Sequence, residues 1–303
     1  MPAIPRRNFL KTASASAIGA ALWNTASPLL ADPLGLPIGL QLYSVRDLLP
    51  KDYEGTLRQL GRLGYREVEA AGFFEHSPAQ VKSAMDRAGL HCVSAHYGIE
   101  ELLPKGDEIV QFGKDLGLKY IVCSSPMLRD PSRVKGDDFF ANMLAMTLDD
   151  WRWNAEQLNR IGERVNAAGI RFAYHNHMAE FRTQEGVLIY EELLRLTDPA
   201  KVTMEMDCGW VVEGGKDPRD FLTRYPDRIS LLHVKDFMTT PAPKLSDPPP
   251  STELGHGKID YRPIFAAAKK TRIEHAFIEQ EEFDLPVLEA LKIDAEYMQA
   301  LSR

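Results

Sequence analysis

The chain has 303 residues, of which 44% are hydrophobic and 26% are charged, proportions that are usual for a soluble globular protein. Its formal net charge of −7 argues against nucleic acid or an anionic membrane surface as the main partner. The length suits a single α/β barrel as well as two average domains.

The first 31 residues have the pattern of an export signal. Arg6 and Arg7 precede a weakly apolar, alanine-rich stretch at residues 12–23, and a cleavage site is predicted after Ala31. The apolar stretch is too short and too polar to span a bilayer. The segment resembles a twin-arginine signal, although Pro5 stands where such signals usually carry serine or threonine. The resemblance implies that the mature protein is periplasmic.

Residues 32–303 form the predicted mature domain, in which short β-branched or aromatic runs alternate with longer amphipathic patterns. The predicted strands are residues 38–43, 66–70, 91–95, 120–123, 171–175, 202–207, 229–234 and 275–280. The clearest predicted helices are residues 53–63, 78–88, 107–116, 148–168 and 186–196. Gly64, Gly89 and Gly169 follow predicted helices, at the position where glycine commonly ends a helix.

This alternation predicts a parallel sheet whose strands are joined by crossover helices. The length, and the lack of a glycine-rich nucleotide-binding turn after the first strand, favour closure into a single-domain (β/α)₈ TIM barrel over an open doubly wound sheet. The active site of such a barrel lies at the C-terminal strand ends and in the loops that follow. Two of these loops are long, at residues 124–147 and 237–259, and we expect both to form walls or lids over the site.

Polar residues that can bind a metal or move protons stand where the predicted strands end. They are Gln41, Glu69, His96, His175, His177, Glu205, Asp207, His233, Lys235 and Glu279. Charged side chains are depleted in sheets buried on both faces, so their presence at these strand ends indicates a function. Residues i and i+2 of a strand face the same way, so Glu205 and Asp207 share a face, as do His175 and His177. Carboxylates and imidazoles converging on one barrel mouth predict a site for one divalent ion, Mn²⁺, Mg²⁺, Co²⁺ or Zn²⁺.

Several of these segments resemble the xylose isomerase-like barrel superfamily of sugar-phosphate isomerases and epimerases. They are Tyr174-His175-Asn176-His177, Met206-Asp207-Cys208-Gly209, His233-Val234-Lys235-Asp236, residues 253–260 and Ile278-Glu279-Gln280. The resemblance implies that Asp207, His233 and Glu279 are metal ligands. Many members supply a glutamate ligand from the fifth strand, where this chain has histidines. We take His175 as the fourth ligand, with His177 left open in its place, and Glu205 stays open as a substitute ligand or as the base.

The implied chemistry is removal of a proton beside a ketone, with the ion stabilising an enediolate. Glu279 is the predicted base, with Glu205 in its place if Glu279 is wholly committed to the metal, and Lys235 completes the predicted catalytic set. The predicted substrate contacts are Gln41, Glu69, His96, His177, Trp210 and His256. The segment around His256 is at best a weak phosphate signal and is more consistent with a tight turn at the rim.

Each assignment has a structural alternative. Asp207 and Glu279 could form ion pairs with Lys235 or Arg171, and His233 could be a core histidine. One of the two histidines of the fifth strand could be purely structural. Aromatic residues that could offer a flat face to a sugar ring are Phe74, Tyr97, Trp151 and Trp210.

The main functional prediction is a metal-dependent isomerase or epimerase of a sugar or keto-sugar. The alternative is a dehydratase or lyase acting on a 3-keto-sugar or keto-inositol, because branches with a similar histidine-rich fifth strand act on such ketones. A third class is a non-catalytic sugar-binding barrel, or a phosphodiesterase like the endonuclease branch of the superfamily. The net negative charge of the chain argues against the endonuclease-like alternative. We expect an unphosphorylated sugar or cyclitol as partner, no nucleic acid and no membrane, and a homo-oligomer stays open.

Overall fold

The computed structural model describes residues 32–242, 244–245 and 247–302, and the predicted export signal at residues 1–31 lies outside them. Eight parallel strands close into one barrel, so the predicted single-domain TIM barrel is confirmed. The strands are β1 (Gly39–Gln41), β2 (Glu67–Ala70), β3 (His91–Gly98), β4 (Tyr120–Ser125), β5 (Arg171–His175), β6 (Thr203–Asp207), β7 (Ile229–Val234) and β8 (His275–Ile278). Neighbours along the chain pair in parallel, and β1 pairs with both β2 and β8 to close the ring.

Helices follow the strands around the barrel. They are α1 (Tyr53–Leu63), α2 (Pro78–Ala88), α3 (Ile99–Leu116), α4 (Phe139–Leu144), α5 (Leu148–Ala167), α6 (Ile189–Leu196), α7 (Cys208–Glu213), α8 (Pro218–Arg224), α9 (Tyr261–Ala268) and α10 (Val287–Leu301). Short 3₁₀ helices span Leu42–Val45, Pro131–Arg133 and Ala179–Phe181. Two antiparallel hairpins pair Thr183–Gln184 with Val187–Leu188, and Asp236–Phe237 with Ser251–Thr252. None of the described helices combines the length and the apolar character needed to cross a membrane.

Local sequence signals set most helix boundaries. Gly64 and Gly89 end α1 and α2 in the left-handed conformation, with φ of 108° and 69°. Ser77 starts α2 through a capping box in which its side chain accepts from the backbone of Gln80, whose own side chain accepts from the backbone of Ser77. The predicted boundaries of α1 and α2 therefore agree with the structure.

Two predicted helix starts are wrong. We expected a helix from residue 107, but α3 begins at Ile99 and includes Pro104, whose missing N–H removes a single bond while the buried face of the helix continues past it. We expected a helix from residue 186, but α6 begins at Ile189 because the preceding residues form a hairpin. Glu185 and Gly186 turn that hairpin with φ of 52° and 80°, the positive values that a two-residue turn requires.

An apolar cluster fills the barrel below the polar strand ends. Its members are Val93, Tyr120, Val122, Ala173, Leu231 and Phe277. Ala173, Leu231 and Phe277 stand two residues before His175, His233 and Glu279 on their strands. The cluster is almost fully buried, so a ligand can approach the polar strand ends only from the C-terminal side of the barrel.

Helices α1 and α2 pack so closely that a side chain at Gly61 has no room. An ideal Cβ there would stand 2.0 Å from the backbone oxygen of Ala88. We expect Gly61→Ala to lower the free energy of unfolding by about 1–3 kcal/mol, because backbone must move to admit the methyl group. Helix propensity alone would instead give a gain of about 1 kcal/mol. Urea denaturation of both proteins measures the difference.

Gly106→Ala in α3 is the matched control. A Cβ at Gly106 would stand 2.1 Å from Nη1 of Arg164, the end of a flexible and partly exposed side chain that can move aside. We expect this variant to be as stable as the parent or more stable. Equal unfolding free energies for the two variants would show that the backbone contact at Gly61 is unimportant.

Candidate metal centre and active site

A cavity of about 560 Å³ opens at the C-terminal ends of the strands. Four residues from the predicted site line its inner end, namely His96, His175, His177 and Glu279. They come from the ends of β3, β5 and β8, which a parallel barrel brings to one rim. The cavity is therefore where the sequence placed the active site.

The predicted metal ligands converge behind this surface. His175, Asp207, His233 and Glu279 each offer one ligand atom, and these atoms all lie within 4.8 Å of one another. The Oδ2 atom of Asp207 is buried and has no hydrogen-bond partner in the described structure. A buried carboxylate oxygen without a partner is costly unless a cation satisfies it. Two imidazole nitrogens and two carboxylate oxygens are also donors that divalent transition ions accept, so the residues fit the predicted ion.

Backbone-directed hydrogen bonds fix the ends of β5 and β6. The Asp207 Oδ1 atom accepts from the backbone of Trp210 at 2.8 Å, which caps α7 and leaves Oδ2 free for a ligand. The side-chain amide of Asn176 donates to the Asp207 carbonyl and accepts from its N–H. Glu180 accepts from the Tyr174 hydroxyl and from the backbone of His177. The Tyr-His-Asn-His segment is thus held rigidly beside Asp207.

Lys235 stands behind the cavity and not on its surface. Its ammonium is fully buried, 2.8 Å from Glu279 Oε2, 3.6 Å from Asp207 Oδ2 and 2.5 Å from Glu281 Oε1. The alternative of an ion pair with Lys235 is therefore present in the structure, whereas Arg171 pairs with Glu274 instead. One ammonium faces three carboxylates, so negative charge is left over for a metal ion.

Glu205 also stands behind the cavity. Its Oε2 lies 2.7 Å from His96 Nε2, 3.1 Å from His175 Nδ1 and 3.4 Å from His233 Nε2, and these four residues form a second group that could hold an ion. Burial, reinforced by the charge of Glu69, raises the pKa of Glu205 to about 7. Glu205 does not line the cavity, so it reaches a substrate through His96 and not directly.

Gln41 and Glu69, predicted as substrate contacts, are fully buried and do not line the cavity. Glu69 Oε2 accepts from Gln41 Nε2 at 2.8 Å and lies 2.8 Å from His96 Nε2 and 2.7 Å from His233 Nε2. Ser94 donates to its other oxygen. Glu69, held by Gln41 and Ser94, therefore supports His96 and His233 from behind the cavity.

The cavity-lining histidines His96 and His177 differ in charge. Burial lowers the pKa of His96, but the carboxylates of Glu69 and Glu205 outweigh burial and raise that pKa to about 9. Burial lowers the pKa of His177 to about 3, and the Lys235 ammonium acts in the same direction. The inner end of the cavity therefore combines a protonated imidazole with a neutral one, which can accept a proton.

The loop at residues 237–259 does not form the predicted lid, because none of its described residues lines the cavity. Its backbone wraps around the Asp236 carboxylate, which accepts from the N–H groups of Gly255, Gly257 and Ile259 at 3.0, 3.1 and 3.0 Å. These amides are therefore not free to bind phosphate. The His256 side chain is 57% exposed and lies outside the cavity, so the structure gives no support for the predicted substrate contact.

The loop at residues 124–147 does form a wall, through the short helix α4. Phe139 and Phe140 of α4 line the cavity together with Trp210, a predicted substrate contact, and Tyr97. Phe74 packs beside Tyr53 and Trp151 is fully buried, so neither offers a face to a ligand. Neither phenylalanine was predicted as a site residue, since the only signal in the sequence is an aromatic pair within a polar loop.

Four carboxylates line the cavity, and two of them, Glu279 and Glu281, are paired with the buried Lys235. Its carboxylates are Glu100, Glu101, Glu279 and Glu281, and no lysine or arginine is present among the described residues that line it. Glu281 and the two glutamates at the start of α3 were not predicted as site residues. The described lining therefore offers a phosphate group no lysine or arginine with which to pair.

Comparison with known proteins agrees with this architecture. The family described as Xylose isomerase-like TIM barrel matches residues 57–301. The inosose dehydratase of Geobacillus kaustophilus (strain HTA426) is 28% identical over 238 residues, which cover 70% of this chain and 74% of that protein. The inosose dehydratase of Lacticaseibacillus casei is 26% identical over 252 residues, covering 77% and 83%. The crystal structure of a sugar phosphate isomerase/epimerase from Parabacteroides distasonis ATCC 8503 superposes with a TM-score of 0.69 at 28% identity, covering 87% and 93%.

The ligand set can be tested by metal content. We expect about one Mn, Co, Zn or Mg ion per chain after loading, held by the four convergent ligands. Asp207→Ala and His233→Ala each remove a ligand and should abolish binding while the barrel still folds. Plasma mass spectrometry measures the metal, and circular dichroism checks the fold.

Asp294→Asn is the matched control, because Asp294 is a fully buried carboxylate that accepts from the backbone of Leu254 outside both metal-competent groups. It should retain the ion. Full metal content in a folded Asp207→Ala variant would contradict the assigned set, and loss in His96→Ala alone would favour the group around Glu205.

Proposed function

The chain belongs to the xylose isomerase-like TIM barrel family, and we propose that it is a divalent-metal-dependent lyase that expels an oxygen substituent β to the ketone of a keto-sugar or keto-cyclitol. The observation that carries the proposal is that two imidazoles, His96 and His177, line the cavity beside Glu279, in environments that shift their pKa values in opposite directions. Elimination needs a proton acceptor at carbon and a proton donor at the departing oxygen. The names of two relatives, both inosose dehydratases, support the same reaction class.

Asp207, His233, Glu279 and His175 would hold the ion, which when bound polarises the ketone and its neighbouring hydroxyl and so acidifies the carbon between them. Glu279 is the only carboxylate of this set that reaches the cavity. Burial raises the pKa of Glu279, but Lys235 at 2.8 Å and His233 at 3.1 Å together outweigh burial and hold that pKa well below its usual range, which keeps Glu279 ionised. In this proposal Glu279 is committed to the ion and is not the base.

The proton chemistry is assigned to the two histidines. His177, whose ring is neutral, accepts the proton from the carbon beside the ketone. The electron pair left on that carbon forms the new double bond, and the C–O bond to the β-oxygen breaks. His96 keeps one proton at Nε2 against Glu69 and Glu205 and supplies the other, from Nδ1, to the departing oxygen. The products are an unsaturated ketone and water or an alcohol.

The charge of the cavity favours an unphosphorylated substrate. Four glutamates line it, and the described lining includes no cationic side chain other than histidine. A neutral polyol can donate hydroxyl hydrogen bonds to these carboxylates, whereas a phosphate would find no lysine or arginine among these residues. The substrate that fits best is therefore a neutral cyclic ketone rich in hydroxyl groups.

Isomerisation or epimerisation, the main prediction from the sequence, is the second candidate. The Parabacteroides distasonis structure, described as a sugar phosphate isomerase/epimerase, is the observation in its favour. Both reactions begin with loss of the same proton. They differ in whether the β-oxygen then leaves.

Turnover in D₂O tests the proposal. We expect the metal-loaded protein to convert a 3-keto-hexose or an inosose into the corresponding enone with loss of water, followed by proton NMR and ultraviolet absorbance. His96→Gln and His177→Asn each remove a proton-transfer group and should lower kcat by roughly 10²–10⁴-fold.

His76→Asn is the control, since His76 stacks on Tyr53 and does not line the cavity. It should leave kcat unchanged. Deuterium incorporation into a recovered ketose without loss of the β-oxygen would assign the isomerase function instead. Ketone binding with neither exchange nor elimination would indicate a non-catalytic sugar-binding barrel.

We also propose that residues 1–31 direct twin-arginine export to the periplasm. The support is the Arg6-Arg7 pair ahead of an alanine-rich stretch. We expect replacement of both arginines by lysine to stop export. The charge is unchanged in this variant, so the loss would show that the arginines themselves are recognised. Cell fractionation and immunoblotting measure it, and an unchanged periplasmic fraction would contradict the proposal.

A further inference from the structure

The cavity is larger than one reacting ring requires. At about 560 Å³ it lies within the range of about 300–1,000 Å³ that holds drug-sized ligands. A reacting ketone must lie at the inner end, beside Glu279 and the histidines. Space is then left in the rest of the cavity, whose lining includes aromatic rings.

One wall of the cavity is built from Phe139, Phe140 and Trp210, which we call the aromatic wall. Phe140 packs against Trp210 with ring centroids 5.4 Å apart, and Phe139 packs against Phe140 at 5.3 Å. Phe139 and Phe140 are only partly buried. They lie on helix α4, whose N-terminus is capped by Asp138. Apolar ring surface that faces a cavity gains free energy when a ligand displaces its water.

The aromatic wall is joined to the reacting end of the cavity. The Phe139 ring lies 4.8 Å from the His177 ring, centroid to centroid. A substituent next to the reacting carbon, when that carbon lies beside His177, would therefore contact the Phe139 ring. The side chains of Phe139 and Phe140 offer no hydrogen bond, so this part of the aromatic wall favours a flat apolar group over the hydroxyl groups of a second sugar.

Resting on the proposed lyase function, we propose that the aromatic wall is a subsite for an aryl or similarly flat apolar substituent carried on the glycosidic oxygen of a keto-sugar. The expelled oxygen is then this glycosidic oxygen and not a hydroxyl. With the ketone at C3, the C2 proton goes to His177 and its electron pair forms the C1–C2 double bond. The C1–O bond breaks, and the aryl oxygen keeps the bonding pair and takes a proton from His96. The ketone is already present, so no oxidant is consumed.

Binding of glycosides without a ketone tests the subsite separately from catalysis. We expect 4-nitrophenyl β-D-glucoside to bind the metal-loaded full chain roughly tenfold or more tightly than methyl β-D-glucoside, by isothermal titration calorimetry. Phe140→Ala should reduce this ratio to near one, and Phe140→Leu should give an intermediate ratio because part of the apolar surface is kept.

Phe112→Ala is the matched control, because Phe112 packs against Phe73 at 4.5 Å and does not line the cavity. It should keep the full ratio, and melting curves of all three variants check the fold. Equal affinity for the two glucosides in the parent protein would overturn the subsite. Tighter binding of a glucosyl glucoside than of the aryl glucoside would overturn the assignment of an apolar group.

Turnover separates this inference from the function on which it rests. We expect faster release of 4-nitrophenol from the 3-keto aryl glucoside than of water from free 3-keto-glucose. Elimination from the free ketone without reaction of the aryl glucoside would overturn the aryl subsite and leave the lyase function intact. Failure of both ketones to react, with the aryl preference in binding retained, would overturn the lyase function alone.

Discussion

The carboxylates buried at the C-terminal end of the barrel determine which other groups the site must contain, because their charge has to be compensated. Glu69, Glu205 and Asp207 are fully buried and Glu279 is nearly so, and a buried charge is costly unless cations and hydrogen bonds compensate it. Lys235 supplies one positive charge, and the histidines between the carboxylates supply hydrogen bonds and protons. A divalent ion is the compensation that the donor atoms of the remaining set fit best.

The apolar cluster inside the barrel and the hydrogen bonds at the strand ends make this arrangement rigid. The cluster closes the barrel from below, so the charged groups meet solvent only through the cavity. Asn176 joins the ends of β5 and β6, and Asp207 caps α7 with one oxygen while the other stays free. Preorganisation of this kind reduces the rearrangement needed when a ligand binds.

The two long loops at the rim have different roles. The loop at residues 237–259 directs its amides inward to Asp236, so it shapes the edge of the barrel and has no anion site of its own. The loop at residues 124–147 places Phe139 and Phe140 against the cavity. The histidine and carboxylate groups of the cavity and its aromatic wall together suit a neutral substrate with one hydroxylated ring and one flat apolar group.

The sequence by itself determined the barrel and the residues at its functional end. Alternation of strand and helix predicts a parallel closed sheet, and the strand-end positions of His175, Asp207, His233 and Glu279 predict their convergence, because all strands of a parallel barrel end at one rim. Only the tertiary structure decided which polar residues reach the cavity. Side-chain alternation determines which face of a strand a side chain occupies, but not how deep in the barrel it lies. That depth depends on strand length and register. The register shifts in two places, because the pairing of β2 with β3 skips Val93 and that of β6 with β7 skips Ser230. The aromatic wall was equally hidden from the sequence, because no periodicity in a loop predicts which of its residues fold back over the barrel.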